Sequence, residues 1–274
     1  MIAEPHTSGW RASLDLHYEA RGSRTVLAHR RHEGPLIVQR PFYPEGGICH
    51  SYVVHPPGGV VGGDELTVQV ICEPGAHALI TTPAAAKFYR SGGAIARQLQ
   101  QLSIGAANLE WLPQETIYYP GAYARSTTRV HVSHASRFVG WEIVCLGLPA
   151  RGQAFDHGAL QLGFELWTDD VPRYLDRLQV HGGTDALTAA WGWGGQTCLG
   201  TMLLWPARRG LVDLARSVHC ERVEIAFTLV DGVLVCRCIG TQAEDVRVAL
   251  IEVWSALRPH VFGITAVKPR IWAT

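Results

Sequence analysis

The amino-acid sequence predicts a mainly β fold: layered or coiled multi-stranded sheets with about two α-helices, in a single domain over residues 1–274. Short segments of alternating apolar and polar residues recur along the chain, which is the pattern of half-buried strands. Turns rich in glycine and proline separate these segments about every 8–12 residues, and this spacing favours an all-β sheet over a βαβ fold. Because no linker divides the chain, we expect one continuous domain.

The predicted strands follow one another from end to end of the chain. They are expected at Ser13 to Ala20, Val26 to Arg30, Leu36 to Arg40, His50 to His55, Leu66 to Cys72, Leu99 to Ile104, Arg129 to Ser133, Gly140 to Cys145, Gln161 to Thr168 and Val223 to Val230. The clearest hairpin spans Glu224 to Cys238. There Asp231 and Gly232 supply the positive φ angles of a two-residue turn between two β-branched runs.

A first helix is predicted near 83–91. Pro83 stands at the first turn of an alanine-rich run, and two glycines follow the run at Gly92 and Gly93. Proline is favoured at the first helical position and glycine just beyond the end, so the segment has the asymmetry of a short helix.

A second helix is predicted over 241–258. Thr241 and Glu244 have the capping-box spacing, apolar residues recur behind them at helical intervals, and Pro259 is expected to end the run. The segment from Asp185 to Trp191 is a third, shorter helical candidate.

The charge balance of the chain excludes one class of function and favours another. Lys plus Arg (24) equals Asp plus Glu (24), so a nucleic-acid binder with a basic face is not expected. Lys87 and Lys268 are the only lysines, and the remaining cations are arginines, which suit fixed ion pairs and interfaces. With nine tryptophans and a mean hydropathy of +0.06, the surface is expected to associate with partners or with itself.

The cysteines and the hydropathy of the chain indicate the cellular compartment in which it is expected. The seven cysteines are odd in number, scattered and without a Cys-x-x-Cys pair, so neither a disulfide framework nor a zinc knuckle is suggested. The N-terminus lacks a signal-peptide pattern, and no run of 18 uncharged apolar residues occurs. We therefore expect a reduced, cytoplasmic protein that does not bind membranes.

The glycine-rich stretch from His55 to Asp64 is the first candidate motif. Its spacing matches neither dinucleotide-binding nor P-loop patterns, and an alternating strand follows it instead of a helix. The paired glycines permit a sharp crossover of the backbone. Asp64 either caps that turn or projects a carboxylate into a crowded place.

Catalytic and metal signatures are weak. No G-x-S-x-G is present, and Glu115 and Glu142 are isolated acids, so no catalytic set can be assigned. His131 and His134 lie in a predicted strand, where side chains three apart point to opposite faces. Lys87 lies beside two aromatic residues, and it is either a surface lysine or a buried one that needs a carboxylate partner.

Read as an ordered set, the motifs resemble the urease accessory protein family UreD, also called UreH. The resemblance covers about residues 10 to 272 and rests on His55 to Asp64, Thr81-Thr82-Pro83, Lys87-Phe88-Tyr89-Arg90-Ser91, Leu109 to Ile117, Gly140 to Gly147 and Leu257 to Trp272. It implies a mostly β fold of coiled sheets with two helices, which agrees with the strand pattern.

The resemblance also implies a function. Members of the family are non-catalytic scaffolds that bind the helical partner UreF and, through it, the GTPase UreG, and that dock on the structural subunits of apo-urease for nickel insertion. No tightly bound cofactor is expected, and nickel would bind only transiently. Oxygen and imidazole groups that exchange ligands suit such a transfer, because a closed set of three or four ligands would trap the ion.

An internal nickel passage has been proposed for the family, and its lining carries over to five positions. Asp64 and Lys87 match motif positions, Thr82 and Glu142 match block positions, and Asp176 stands where relatives often have glutamate before Arg-Leu. Two rival functions remain open: an independent nickel metallochaperone, which would need a His/Cys cluster, and a β-rich hydrolase, which would need Glu142 to converge with a histidine.

Overall fold

The computed structural model describes residues 9–273, whose strands form two sheets facing each other. The seven-stranded sheet contains, in spatial order, β14 (Val171–His181), β13 (Ala159–Thr168), β11 (Tyr123–Val132), β8 (Ala96–Ile104), β5 (Glu65–Cys72), β1 (Arg11–Arg21) and β2 (Arg24–Glu33). The ten-stranded sheet contains β16 (Glu224–Val230), β17 (Val233–Gly240), β15 (Cys198–Trp205), β12 (Arg137–Leu146), β9 (Asn108–Leu112), β6 (His77–Thr81), β4 (Cys49–Val54) and β3 (Ile37–Val38), with β10 (Thr116–Tyr118) beside β12 and β7 (Ala86–Phe88) beside β10.

The chain winds between the two sheets as a coil. In the seven-stranded sheet β5, β8 and β11 are parallel neighbours, and in the ten-stranded sheet β6, β9 and β12 are parallel neighbours. The turns that join the two layers also stack, since the Gly75 amide donates to the Ala106 carbonyl at 2.9 Å and the Gly105 amide donates to the Cys72 carbonyl at 3.0 Å. The predicted coiled, layered β architecture is confirmed.

The main core lies between the sheets. Leu14, Leu16 and Tyr18 alternate along β1 and are at most 1% exposed, as the period-2 pattern of this segment predicts. Large aromatic residues of the opposite sheet, among them Trp111 and Phe138, belong to the same buried cluster. Strand alternation therefore sets which side chains can meet between the layers.

The helix α2 (Ala243–Phe262) covers the outer face of the ten-stranded sheet and buries Leu250, Trp254 and Leu257 there. The helix near 241–258 is thus confirmed, with changed ends. Gln242 is the N-cap and makes no side-chain capping bond, so the predicted capping box does not form. Pro259 lies inside the last turn, and the helix ends instead at Phe262, followed by the C-cap Gly263, whose φ of 74° favours glycine.

The helix predicted near 83–91 is wrong. Residues 86–88 form β7, which pairs with β10, and the Val60 amide donates to the Lys87 carbonyl at 2.7 Å. An isolated run of seven residues is too short to be a stable helix by itself, so backbone pairing on both sides outweighs the helical propensity of the alanines. The second helix is α1 (Arg209–Arg216), where no helix was predicted.

Two smaller predictions also have outcomes in the structure. The hairpin of β16 and β17 is confirmed, with Asp231 and Gly232 at φ angles of 43° and 80°. The segment after Asp185 forms only a 3₁₀ turn, Asp185–Leu187. Within residues 9–273, none of the helices combines the length and apolar character needed to cross a bilayer.

A buried charged cluster joins α2 to the sheet. The side chain of Arg258 is 0% exposed; it donates from Nε to Glu110 Oε2 and from Nη2 to Glu110 Oε1, both at 2.9 Å. It also binds the Glu45 carboxylate through Nη1 and Nη2. Trp254 Nε1 donates to Glu110 Oε2 at 2.7 Å, so the fully buried Glu110 is hydrogen bonded at both oxygens.

Two histidines complete this cluster, which we call the Arg258 cluster (Glu45, His50, His77, Glu110, Trp254 and Arg258). His77 Nε2 lies 2.9 Å from Glu110 Oε1, and His50 Nε2 lies 2.7 Å from Glu45 Oε1. Burial alone would raise the pKa of Glu110, but hydrogen bonds from His77 and Arg258 hold that pKa below its ordinary value. Both glutamates of the cluster are therefore ionised at neutral pH, since the pKa of Glu45 is lowered by its hydrogen bonds in the same way.

Candidate functional site

A cavity of about 200 Å³ lies between the two sheets. Its walls combine apolar residues with a few polar side chains from both layers. The polar and charged members are His55, Thr82, Lys87, Gln98, Gln100, Gln114, Thr116, Tyr118, Ser126 and Glu142. Three of the five residues that the resemblance assigned to a passage, Thr82, Lys87 and Glu142, are thus brought to one cavity.

Two rows of polar residues cross the inner face of the seven-stranded sheet. Gln98 pairs with Ser126 between β8 and β11, and Gln100 pairs with Thr128 one step further along the same strands. Because side chains two apart on a strand share a face, all four point to the same side of the sheet. The Thr128 side chain is hydrogen bonded to Gln100 and is completely buried. These rows form the polar wall opposite Glu142.

Glu142 is the only carboxylate among the residues that line this cavity. It lies on β12 opposite Thr201 of β15, and its side chain is half-buried because it faces the cavity. Removal from bulk solvent raises its pKa to about 7, against a hydrogen bond with Thr128 that lowers the pKa. At neutral pH this carboxyl group therefore exchanges readily between its protonated and ionised forms.

Asp176 lies on β14, beyond Thr128 and Phe164 in the same cross-strand row. It is paired with Arg237 of β17, and Arg237 Nη2 also donates to the Tyr174 hydroxyl at 3.1 Å. This ion pair joins the edge strand β14 of the seven-stranded sheet to β17, the second strand of the ten-stranded sheet. Asp176 does not line the cavity, although its negative charge contributes to the raised pKa of Glu142.

Lys87 lies on the segment that was predicted to be helical, Thr82 lies just before that segment, and both residues line the cavity. The Thr82 hydroxyl accepts a hydrogen bond from the backbone amide of Gln114 at 2.9 Å. Lys87 is half-buried on β7 and pairs in register with Ile117 of β10. Strand β7 places Lys87 beside the cavity, and the irregular residues between β6 and β7 place Thr82 there.

Asp64 caps a turn. Its Oδ1 accepts from the Trp10 amide at 2.8 Å and its Oδ2 accepts from the Val61 amide at 2.9 Å, and the residue is 6% exposed. The structure thus supports the turn-capping alternative that the glycine-rich motif left open. Asp64 is not among the residues lining the cavity, and its role in a passage stays a prediction.

Sequence reasoning named His55 only as the first residue of the glycine-rich stretch, and it did not single out Gln98, Gln100 or Thr128. His55 lines the cavity, where burial lowers its pKa and the nearby Asp64 carboxylate opposes that effect. A usable signal was present at Gln98 and Gln100, because a central strand that carries glutamines on its inward face needs polar partners there.

The cavity offers oxygen and imidazole groups spread over its walls. Among residues 9–273 no group of three or more His, Cys, Asp and Glu side chains is placed to hold a metal ion. Glu142 shares the cavity wall with hydroxyl and amide groups that can hydrogen bond to water. A cavity lined only by apolar side chains would suit an apolar ligand. The polar rows in this wall suit a hydrated ligand instead.

The sequence is similar to known proteins over nearly its whole length. It matches the family described as "UreD urease accessory protein" over residues 11–273. The urease accessory protein UreD of Klebsiella pneumoniae subsp. pneumoniae is 44% identical over 275 residues, covering 100% of this chain and 98% of the relative. UreD of Klebsiella aerogenes is 44% identical over 272 residues (98% and 99%), and UreD of Escherichia coli is 40% identical over 275 residues (97% and 98%).

Proposed function

This chain belongs to the UreD family of urease accessory proteins, and from that premise we propose that it is a non-catalytic adaptor through which nickel reaches apo-urease. The family gives it a role in urease maturation. In the proposal it binds UreF, recruits UreG through UreF, and docks on the urease subunits in the cytoplasm. The resemblance of its motif blocks to the family supports these partners.

The single observation that supports a nickel route is the polar cavity with Glu142 in its wall. A volume of about 200 Å³ is several times the ~30 Å³ that one water occupies in the liquid, so the cavity has room for several waters. A divalent ion that keeps part of its hydration shell fits such a space. Much of the cavity wall is formed by paired strands of the two sheets.

The pKa of Glu142 suits transfer more than storage. With a pKa of about 7, the carboxyl group carries a proton about half of the time at neutral pH. An arriving cation favours the ionised form and displaces that proton, and departure of the cation lets the proton return. The cavity wall also carries the cation Lys87, so one carboxylate with neutral oxygen and imidazole neighbours binds a borderline ion weakly and the ion is free to move on.

The test of this route replaces Glu142 and leaves the fold intact. Glu142→Gln keeps the shape and hydrogen bonding of the side chain and removes its negative charge. The matched control is Glu165→Gln: Glu165 is also a buried glutamate on a strand, but it is paired with Arg129 at 2.9 Å and does not line the cavity. Each variant is co-expressed with urease and its accessory proteins.

Two measurements distinguish the proposed role as an adaptor from the proposed role as a nickel route. Nickel per urease active site, by elemental analysis of purified urease, is expected to fall severalfold with Glu142→Gln and to stay unchanged with Glu165→Gln. Pull-down of UreF and urease is expected to be equal for both variants. Unchanged nickel with intact assembly contradicts the route and leaves the adaptor standing, whereas no association of the unsubstituted chain with UreF or urease contradicts the adaptor.

A dialysis experiment tests the independent metallochaperone. The purified full chain is equilibrated with nickel and then dialysed against metal-free buffer. We expect no stoichiometric nickel to remain, because ligands that exchange release the ion. Retention of one nickel per chain would contradict the transfer role and support an independent metallochaperone that binds nickel tightly.

A further inference from the structure

Two buried cysteines face each other in the ten-stranded sheet. Cys145 and Cys198 lie directly opposite on the antiparallel strands β12 and β15. The next pair, Leu146 and Thr197, is joined by a hydrogen bond from the Leu146 amide to the Thr197 carbonyl at 2.8 Å. Since hydrogen-bonded and non-hydrogen-bonded pairs alternate, the cysteines form a non-hydrogen-bonded pair, with Cα atoms about 4.5 Å apart. A disulfide spans Cα separations of about 4.4–6.8 Å.

The two thiols also interact with each other. The hydrogen bond that Cys145 donates lowers the pKa of Cys198, and the same bond raises the pKa of Cys145. At a given pH the thiolate fraction of Cys198 is therefore the larger of the two. Its sulfur lies 3.7 Å from the hydroxyl of Thr197, which is half-buried, so small solutes at the surface are one residue away from the thiols.

We propose that Cys145 and Cys198 form a redox-modification site, which a peroxide converts into a cross-strand disulfide. The Cys198 thiolate attacks a peroxide oxygen and breaks the O–O bond, giving a sulfenic acid and, from hydrogen peroxide, hydroxide. The Cys145 sulfur then attacks the Cys198 sulfur; the S–S bond forms, and the hydroxyl group leaves as water with the Cys145 proton. Two thiols lose two electrons, which reduce the peroxide to water and hydroxide.

The disulfide would fix the strand that carries Glu142. Cys145 and Glu142 both lie on β12, and Cys198 begins the neighbouring β15. A bond between these strands constrains the unfolded chain more than the native sheet, in which the two residues are already adjacent. Oxidation is therefore expected to raise the thermal stability and to leave the cavity in place. This site does not depend on the proposed nickel route.

A second pair of buried cysteines provides an internal control. Cys236 and Cys238 lie two residues apart on β17 and are both buried. Their Cα atoms are about 6.6–6.8 Å apart along an extended strand, and their side chains point the same way without converging. This spacing is at the upper limit for a disulfide, so the same oxidant should leave the pair unbridged.

Peptide mapping of the full chain tests the proposal. The chain is treated with hydrogen peroxide, denatured in iodoacetamide and digested with trypsin, which places Cys145 in peptide 138–151 and Cys198 in peptide 178–208. We expect these peptides to be joined, two hydrogen atoms lighter than their sum, and to separate on reduction with dithiothreitol. Cys145→Ser should abolish the joined species and leave Cys198 as a sulfenic acid that dimedone traps.

Two results would overturn the assignment. One is full alkylation of Cys145 and Cys198 by iodoacetamide at a peroxide dose that oxidises the partly exposed Cys220. The other is a bridge between peptides 223–237 and 238–247, which would place the reactive pair at Cys236 and Cys238. A thermal scan gives a second readout: peroxide should raise the melting temperature of the unsubstituted chain and leave that of Cys145→Ser unchanged.

Discussion

Two glutamates on neighbouring strands of the ten-stranded sheet show how surroundings decide what a buried carboxylate does. Glu110 of β9 is ionised within the Arg258 cluster, where Arg258, Trp254 and His77 occupy its oxygens. Glu142 of β12 has no cationic partner of this kind, and burial raises its pKa to about 7. The first carboxylate fixes a helix to a sheet, whereas the second exchanges protons near physiological pH. A carboxylate between packed elements is thus held ionised where cations pair with it, and its pKa is raised where they do not.

The largest expected effect comes from removing the cation of the Arg258 cluster. Arg258→Met leaves the Glu45 and Glu110 carboxylates buried without their partner, which should cost about 3–5 kcal/mol in the free energy of unfolding. Urea denaturation measures the loss. The control is Arg222→Met, since Arg222 pairs with Asp245 at 3.2 Å on the exposed surface and should cost less than about 1 kcal/mol. Equal losses in the two variants would show that burial adds nothing to the cluster.

The next largest effect concerns how the free energy of unfolding depends on pH. The pKa of Glu142 is about 7 in the folded state, whereas an unfolded chain has the ordinary value of about 4.3. Between these two pH values the folded chain therefore keeps a proton that the unfolded chain has released. The free energy of unfolding contributed by this group therefore falls as pH rises from about 4.3 to about 7. Glu142→Gln should remove that fall, so its stability relative to the unsubstituted chain should increase by about 1–3 kcal/mol across this range. Urea titrations at several pH values measure it, and parallel curves would contradict the raised pKa.

The glutamates of the Arg258 cluster predict the opposite dependence. Their folded-state pKa values lie below the ordinary value of about 4.3, so the stability they contribute is present above that pH and is lost as the pH falls through the lower values. Acid unfolding should therefore begin at higher pH in Glu45→Gln than in Glu165→Gln. Circular dichroism between about pH 5 and 2 distinguishes the two variants, and coincident curves would exclude Glu45 as a source of acid sensitivity.

A smaller effect concerns Asp64. Asp64→Asn keeps one acceptor oxygen but replaces the other with a donor, so one of the amides of Trp10 and Val61 loses its partner. The expected cost is about 1–2 kcal/mol, measured as a lower midpoint of urea unfolding. Asp213→Asn, on the exposed surface of α1, is the control and should be neutral. A neutral Asp64→Asn would show that the carboxylate does not stabilise this turn.

The smallest effect links Asp176 to the cavity. Arg237→Met removes the cation that neutralises Asp176, and the unpaired charge of Asp176 should then raise the pKa of Glu142 further, by less than about one unit. Carboxyl NMR titration of Glu142 measures this shift. A second variant, Arg237→Met with Asp176→Asn, should reverse it. A shift that persists in the double variant would assign it to altered packing.

Local patterns in the sequence predicted an element correctly where the local preference agreed with the long-range pairing of the backbone. The alternation in β1, the Asp231-Gly232 turn and the apolar period of α2 all appear in the structure. The alanine-rich run after Pro83 failed because its backbone pairs with residues far along the chain, and propensity over seven residues is weak against such pairing. The sequence blocks also indicated Thr82, Lys87 and Glu142, but nothing local revealed that His55 and Gln100 share a cavity with them.

By itself the sequence determined the class of fold, the hairpin, the long helix and the family, because these depend on periodicity, turn residues and motif blocks that are contiguous in the chain. Only the tertiary structure decided which acids are paired. Glu110 meets Arg258 across 148 positions of the chain, while Glu142 faces hydroxyl and amide groups. It likewise placed Cys145 against Cys198, although no spacing in the sequence suggests a pair. Charge, protonation and thiol contact depend on distances in space, and strand register alone sets those distances here.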